Sequence, residues 1–267
     1  MRTVRFELLR PHEVIAERQR CSVVYQPVGP LEWHGPHMPF GVDALHAENV
    51  SRRVAESVGG VVMPTLFWGA ERELAPEKLR NIGFDEGEWI VGMDYPANSM
   101  PSMYSQEDIF GIVVRARLEL LVKQEYELIV IINGHGAPNH LMTLERLAKE
   151  FTAATTSRVL FLTAFVPDAD GRYAGIGHAD ALETSLMMAM YPDSVDMTKL
   201  PALPEPLRNQ DWAVVDGVTF AGRPNADHTV APENDPRRNS SAEQGEAALN
   251  RHAIWLANQV RAVLAER

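Results

Sequence analysis

Between Gly29 and Asp43 the chain places Glu32, His34, His37 and Asp43 within twelve positions. A hydrophobic core has no use for such a set. Carboxylate oxygen mixed with imidazole nitrogen suits a hard-to-borderline divalent cation such as Zn²⁺ or Mn²⁺. Glu32 and His34 are two residues apart, so in extended chain they point to one side and both can reach one metal site. Gly35-Pro36 and Gly41 bend the chain before Asp43. Asp43 itself has two readings, a cap for the helix that follows or a carboxylate that bridges two cations with its two oxygens. His37 and His46 are read as structural histidines outside the ligand set.

Two further clusters carry the same residue types. Asn133-Gly134-His135-Gly136 follows the apolar run Ile131-Ile132, and Pro138 stands where a helix would start. The glycines allow a tight turn and a close approach of backbone, and the helix N-terminus offers amide donors to the same crevice. His178, Asp180 and Glu183 come next, with Leu182, Leu186 and Met187 continuing a helical pattern that puts Glu183 near a helix start. Glu32, His34, Asp43, His135 and Glu183 together supply enough ligands for two metals that share a carboxylate. His178 is left over as an acid–base group, its unperturbed pKa of ~6.5 suited to neutral pH.

These residues need a scaffold. Residues 22–28, 60–66, 128–133 and 158–164 read as short buried strands. Residues 44–57, 106–125 and 138–151 have helical spacing, so the pattern implies an α/β fold with a mostly parallel sheet covered by helices on both faces. Ligands after residues 22–28 and 128–133 would then lie at the C-terminal ends of strands, where open α/β sheets bind their ligands. Residues 64–105 are rich in Gly, Pro, Met and aromatics, as in an active-site wall or a subunit contact. Within and next to them Trp68, Trp89, Tyr95 and Tyr104 can line a pocket or pack in a core or interface. Trp212 to Phe220 reads as a hairpin around Asp216-Gly217. Residues 241–266 read as one amphipathic helix, capped by Ser241 with Gln244 as its return partner.

The 267 residues suffice for a substantial core, and 45% of them are hydrophobic. A net charge of −11 without a basic block argues against nucleic acid and anionic membrane as partners. The single cysteine, Cys21, excludes an internal disulfide and reads as a small buried apolar residue. No stretch resembles a signal peptide or a membrane span, so a cytoplasmic location is expected.

The three clusters resemble the creatininase family of metal-dependent amidohydrolases. The resemblance rests on residues 27–43, on Asn133-Gly134-His135-Gly136, on His178-Ala179 with Glu183-Thr184-Ser185, and on a weaker match at Asp235-Pro236 and residues 241–245. It implies a three-layer α/β/α sandwich, one hydrolase domain over residues 1–267 and a binuclear centre of Zn²⁺, Mn²⁺ or Fe²⁺. It also implies a homo-oligomer, for which a hexamer is one option, and hydrolysis of a non-peptide C–N bond in a small, cyclic amide. Carried onto this chain, Glu32, Asp43 and His135 would hold one metal, and His34, Asp43 and a further carboxylate the other. In creatininase itself that carboxylate is a glutamate two residues after the histidine of the second motif. This chain has Ala137 there, which argues against creatinine as substrate and makes Glu183 the candidate.

The chemistry expected is attack on a carbonyl carbon by a water that two cations have acidified. Oxyanion stabilisation would come from metal and backbone amides, and a proton for the leaving group from His178. Two other readings use the same residues. One is hydrolytic C–C ring opening of a cyclic β-dicarbonyl such as an oxidised inositol. The other is a non-catalytic metal-binding structural protein, which would need coordinatively closed sites.

Overall fold

The computed structural model describes residues 3–82, 84–89, 102–167, 177–210, 213–215 and 228–266. Its central sheet is parallel throughout. β1 (Val23–Gly29) lies between β2 (Val61–Val62) and β4 (Leu128–Asn133), and β5 (Arg158–Thr163) follows β4. β3 (Leu66–Phe67) extends the β2 side of β1, pairing Val28 with Leu66. The single strand expected over residues 60–66 is therefore two. Pro64 sits at the break, where it offers no N–H to the ladder, and its carbonyl accepts from the Gln26 side chain instead.

Alternation along the strands sorts the core onto two faces. Val23, Tyr25, Val130 and Ile132 face α2 (Val42–Val58), α6 (Ala181–Met190) and α8 (Ala242–Ala265), where they meet Val50, Val54, Leu186, Leu249 and Leu256. Val24, Ile129 and Ile131 face α4 (Glu107–Lys123) and α5 (Pro138–Ala154), meeting Phe110, Leu118, Leu144 and Leu147. This is the expected three-layer sandwich. Each fully buried aliphatic side chain contributes about 1.5–3 kcal/mol to holding the layers.

Several elements lay outside the sequence reading. α1 (Pro11–Arg20) precedes β1, α3 (Pro76–Ile82) lies within residues 64–105, and α7 (Pro236–Asn239) precedes α8. A small antiparallel sheet joins β6 (Arg208–Gln210) to β7 (Ala213–Val215) and β8 (His228–Thr229). β7 pairs antiparallel with β6, with Gln210 opposite Ala213, a pairing that the expected hairpin does not include. The Asp216-Gly217 turn, Tyr95 and residues 96–101 lie outside the described residues. Ser241 caps α8 by accepting from the Gln244 amide. The return half of the expected box is replaced, because the Ser241 N–H donates to Ser185 Oγ on α6. Cys21 is half-buried, not fully buried, and packs at the core's edge. Among the described residues no helix is long and apolar enough to cross a membrane.

Candidate metal centre

β1 and β4 are neighbours, and their register pairs Val28 with Asn133. The loops leaving them, with Glu32 and His34 on one and His135 on the other, therefore start side by side at the C-terminal edge of the sheet. The contact is close. A Cβ on Gly134 would lie 2.0 Å from the Asp43 carbonyl oxygen, so only glycine lets this turn pass the start of α2. Asp43 is the second residue of α2, and no side chain caps that helix. The capping reading of Asp43 is therefore not realised. Its carboxylate lies between two imidazoles, with Oδ1 3.1 Å from His34 Nε2 and Oδ2 2.9 Å from His135 Nδ1.

The third loop comes from the far end of the chain. Asp180 caps α6, its Oδ1 accepting from the Leu182 and Glu183 amides and its Oδ2 from Gly177. Ala179 is held at φ 56°, a left-handed conformation unfavourable for a non-glycine residue. Its N–H donates to Glu183 Oε2 at 2.6 Å. α6 is pressed against α8 at Gly245, where a Cβ would lie 1.9 Å from the Ser185 carbonyl. Met38, Val42, Ala179 and Met187 pack together between the first loop and α6. His37 adds a tether through Thr184 Oγ1 at 2.9 Å, next in sequence to Glu183.

Among the described residues, three groupings bring ligand atoms within 4.8 Å of one another: Glu32/Asp43/His135, His34/Asp43/Glu183 and Glu32/His34/His178. The first two share Asp43. Glu32 and His34, expected to reach one site, fall on either side of it and also converge with His178. His34 Nδ1 donates to the Glu32 carbonyl at 3.0 Å, which leaves Nε2 as the atom available to a metal. Glu32 Oε2 lies 3.1 Å from His135 Nδ1, and His34 Nε2 lies 3.8 Å from Glu183 Oε2.

The electrostatics of the cluster call for positive charge. Burial alone would lower His34, but Asp43 and Glu183 outweigh it and raise its pKa to about 10. Burial is likewise outweighed at His135, where Glu32 and Asp43 hold the imidazole well above its ordinary value. Asp43 is drawn down against burial by the two histidines. Glu183, with burial dominant and Asp43 adding to it, is pushed up to about 8. Three buried carboxylates thus bind protons on or beside themselves, and a divalent cation supplies the same charge on binding while releasing them. Three candidate ligands per grouping would leave coordination positions open at a bound ion.

His178 is half-buried. Its Nε2 lies 2.6 Å from the Trp33 carbonyl, and its ring centroid is 4.2 Å from that of His34. Because a carbonyl only accepts, Nε2 carries the proton and Nδ1 is the basic atom. Burial and the His34 charge lower its pKa to about 4, so His178 is neutral at pH 7 instead of titrating near it.

Sequence reasoning missed His140, which helps to brace this centre. His140 accepts from the Ala70 amide and donates to Asn133 Oδ1, which also accepts from the His135 amide. The signal was available in the apolar face of α5, which His140 shares with Leu144 and Leu147. Tyr104, which the sequence offers as a residue to line a pocket or pack in a core or interface, donates to Glu32 Oε1 at 2.5 Å. Trp68 and Trp89 are 43% and 59% exposed, not buried in the core. His46 of α2 pairs with His252 of α8 at 3.1 Å.

The creatininase family model, described as creatinine amidohydrolase, matches residues 7–83 and 88–260. A creatinine amidohydrolase from Pseudomonas putida is 28% identical over 195 residues, which cover 67% of this chain and 68% of that protein. Among solved structures, a creatinine amidohydrolase (creatininase) superposes with a TM-score of 0.68 at 24% identity, covering 97% of each chain. A manganese form of creatininase and a Zn–Zn form of a creatininase mutant each give 0.68 at 25% identity, covering 98% of both chains.

Proposed function

The chain belongs to the creatininase family, and from that premise we propose that it is a hydrolase with a binuclear metal centre acting on the non-peptide C–N bond of a small, cyclic amide. The observation that carries the proposal is the Asp43 carboxylate, set between His34 and His135 with one oxygen toward each. Glu32, Asp43 and His135 would hold one divalent ion, and His34, Asp43 and Glu183 the other. Zn²⁺ and Mn²⁺ are the ions named for the relatives, and the oxygen and nitrogen donors here suit both, and Fe²⁺ as well. When bound, such ions supply Lewis acidity and lower the pKa of a coordinated water.

The chain's own residues do the rest. Buried walls around Glu32, His34, Asp43 and Glu183 exclude bulk water and strengthen every charge interaction within. His178 enters neutral, with its Nε2–H committed to the Trp33 carbonyl, so Nδ1 is the atom that takes up a proton and returns it to the leaving nitrogen. The α5 N-terminus, three residues beyond His135, adds partial positive charge where negative charge develops on the carbonyl oxygen. Ala137, in place of a carboxylate, leaves the second metal grouping to Glu183 and makes the pocket differ from that of creatininase. The enzyme is proposed to act as a homo-oligomer.

A panel of cyclic amides, formamides and cyclic diketones, offered to Mn²⁺- or Zn²⁺-loaded protein, tests the proposal. Metal-dependent release of ammonia or an amine supports it. An acid product without released nitrogen would replace it with C–C ring opening, and no turnover across the panel would contradict it. His178→Ala is expected to keep its metal and lose roughly 10²–10⁴-fold in turnover. Metal loss in that variant would make His178 a ligand.

A further inference from the structure

Both carboxylate and imidazole of the Glu32/Asp43/His135 grouping are approached from outside by side chains of one segment. Tyr104 Oη donates to Glu32 Oε1 at 2.5 Å. The other oxygen, Oε2, is the one that faces His135 Nδ1 at 3.1 Å. On the far side of the His135 ring, Nε2 is buried without a hydrogen-bond partner, and Glu71 Oε2 lies 3.7 Å from it. An imidazole that gives Nδ1 to a metal carries its proton on Nε2, and a carboxylate is a common partner for that proton.

Both approaches are anchored. The Met103 amide donates to the Leu31 carbonyl, and Ser102 Oγ accepts from the Trp33 amide, which ties residues 102–104 to the loop bearing Glu32. The Ala70 amide donates to His140, and His140 reaches Asn133, whose side chain binds both the amide and the carbonyl of His135. Residues 70–71 are therefore fixed to the turn bearing His135. The other grouping is braced by backbone: His34 donates to the Glu32 carbonyl and Glu183 accepts from the Ala179 amide.

We propose that Tyr104 and Glu71 are positioning residues that set the metal affinity of the Glu32/Asp43/His135 grouping separately from that of His34/Asp43/Glu183. Tyr104 holds Glu32 with one oxygen engaged and the other presented. Glu71 fixes the His135 ring by its proton-bearing nitrogen. The inference rests on the binuclear reading above.

The test is a calorimetric titration of chelator-treated, full-length protein with Mn²⁺ alone, comparing wild type with Tyr104→Phe and Glu71→Gln. The wild type is expected to show two saturable steps. Each variant should weaken one step by about 10- to 100-fold and leave the other in place, with the metal-free melting temperature unchanged. Two unchanged steps in both variants would overturn the inference while the binuclear reading stands. Equal weakening of both steps with a lowered metal-free melting temperature would overturn it too, by showing a merely structural role. A wild type without two saturable Mn²⁺ steps would overturn the binuclear reading and this inference with it.

Discussion

Gly134 and Gly136 flank the same histidine, yet the structure assigns them opposite sensitivities. In Gly134→Ala the new methyl would meet the Asp43 backbone at 2.0, 2.6 and 3.0 Å, whereas a Cβ on Gly136 would meet nothing within 4 Å. Backbone cannot rotate away as a side chain can. For the shortest contact to reach an ordinary 3.4 Å, Asp43 and Gly134 must separate by about 1.4 Å. The Asp43 carboxylate then cannot keep both its 3.1 Å approach to His34 and its 2.9 Å approach to His135. Overpacking of this kind costs about 1–3 kcal/mol, or roughly 2–10 °C in Tm for a chain of this size. A misplacement near 1 Å costs on the order of 100-fold in turnover. Thermal melts in chelator measure the first effect, and Mn²⁺ titration followed by turnover of the loaded protein measures the second. Gly136→Ala should stay within about 0.5 kcal/mol of wild type. Wild-type stability and metal binding in Gly134→Ala, or equal damage from Gly136→Ala, would refute the reasoning.

Asp43→Ala should lose both metals by elemental analysis, and two metals retained would exclude a bridging role. Glu183→Gln keeps an acceptor for the Ala179 amide but loses charge, so stoichiometry should fall from two metals toward one; an unchanged count would point to another ligand. His252 and His46 are both held neutral by burial, His252 with its pKa lowered to about 4 and His46 well below its ordinary value. Because the unfolded chain takes up these protons first, their contribution is complete above pH ~6.5 and is lost as pH falls below it, for His252 down to about pH 4. The loss runs at about 1.4 kcal/mol per pH unit for each histidine. Urea unfolding in chelator at pH 7, 6 and 5 should therefore show a shallower pH dependence for His252→Gln than for wild type, and parallel curves would contradict it.

The parts of the fold that could be read from sequence were those where one physical signal dominated. β1, β4 and β5 are mostly apolar runs because helices lie on both faces of the sheet. β2 and β3 were merged because a run of apolar residues does not show that Pro64 interrupts the ladder. α1 was missed because Pro11–Arg20 is mostly polar and buries little, its one buried residue being Glu17. The five proposed ligands stood out by type and spacing, and the structure brings them together. Tyr104 stood out only as an aromatic that can line a pocket and Glu71 not at all, because each reaches the centre through a loop contact with no periodicity to announce it. His252 was readable in principle: it falls on the buried face of α8 with Leu249 and Leu256, but nothing in sequence names His46 as its partner.

Anomalous diffraction from crystals of the protein grown with Mn²⁺ tests the central claim most directly. Two peaks per chain are predicted, one among Glu32, Asp43 and His135 and the other among His34, Asp43 and Glu183, with Asp43 contacting both. A single peak, or a pair that Asp43 does not join, would contradict the account.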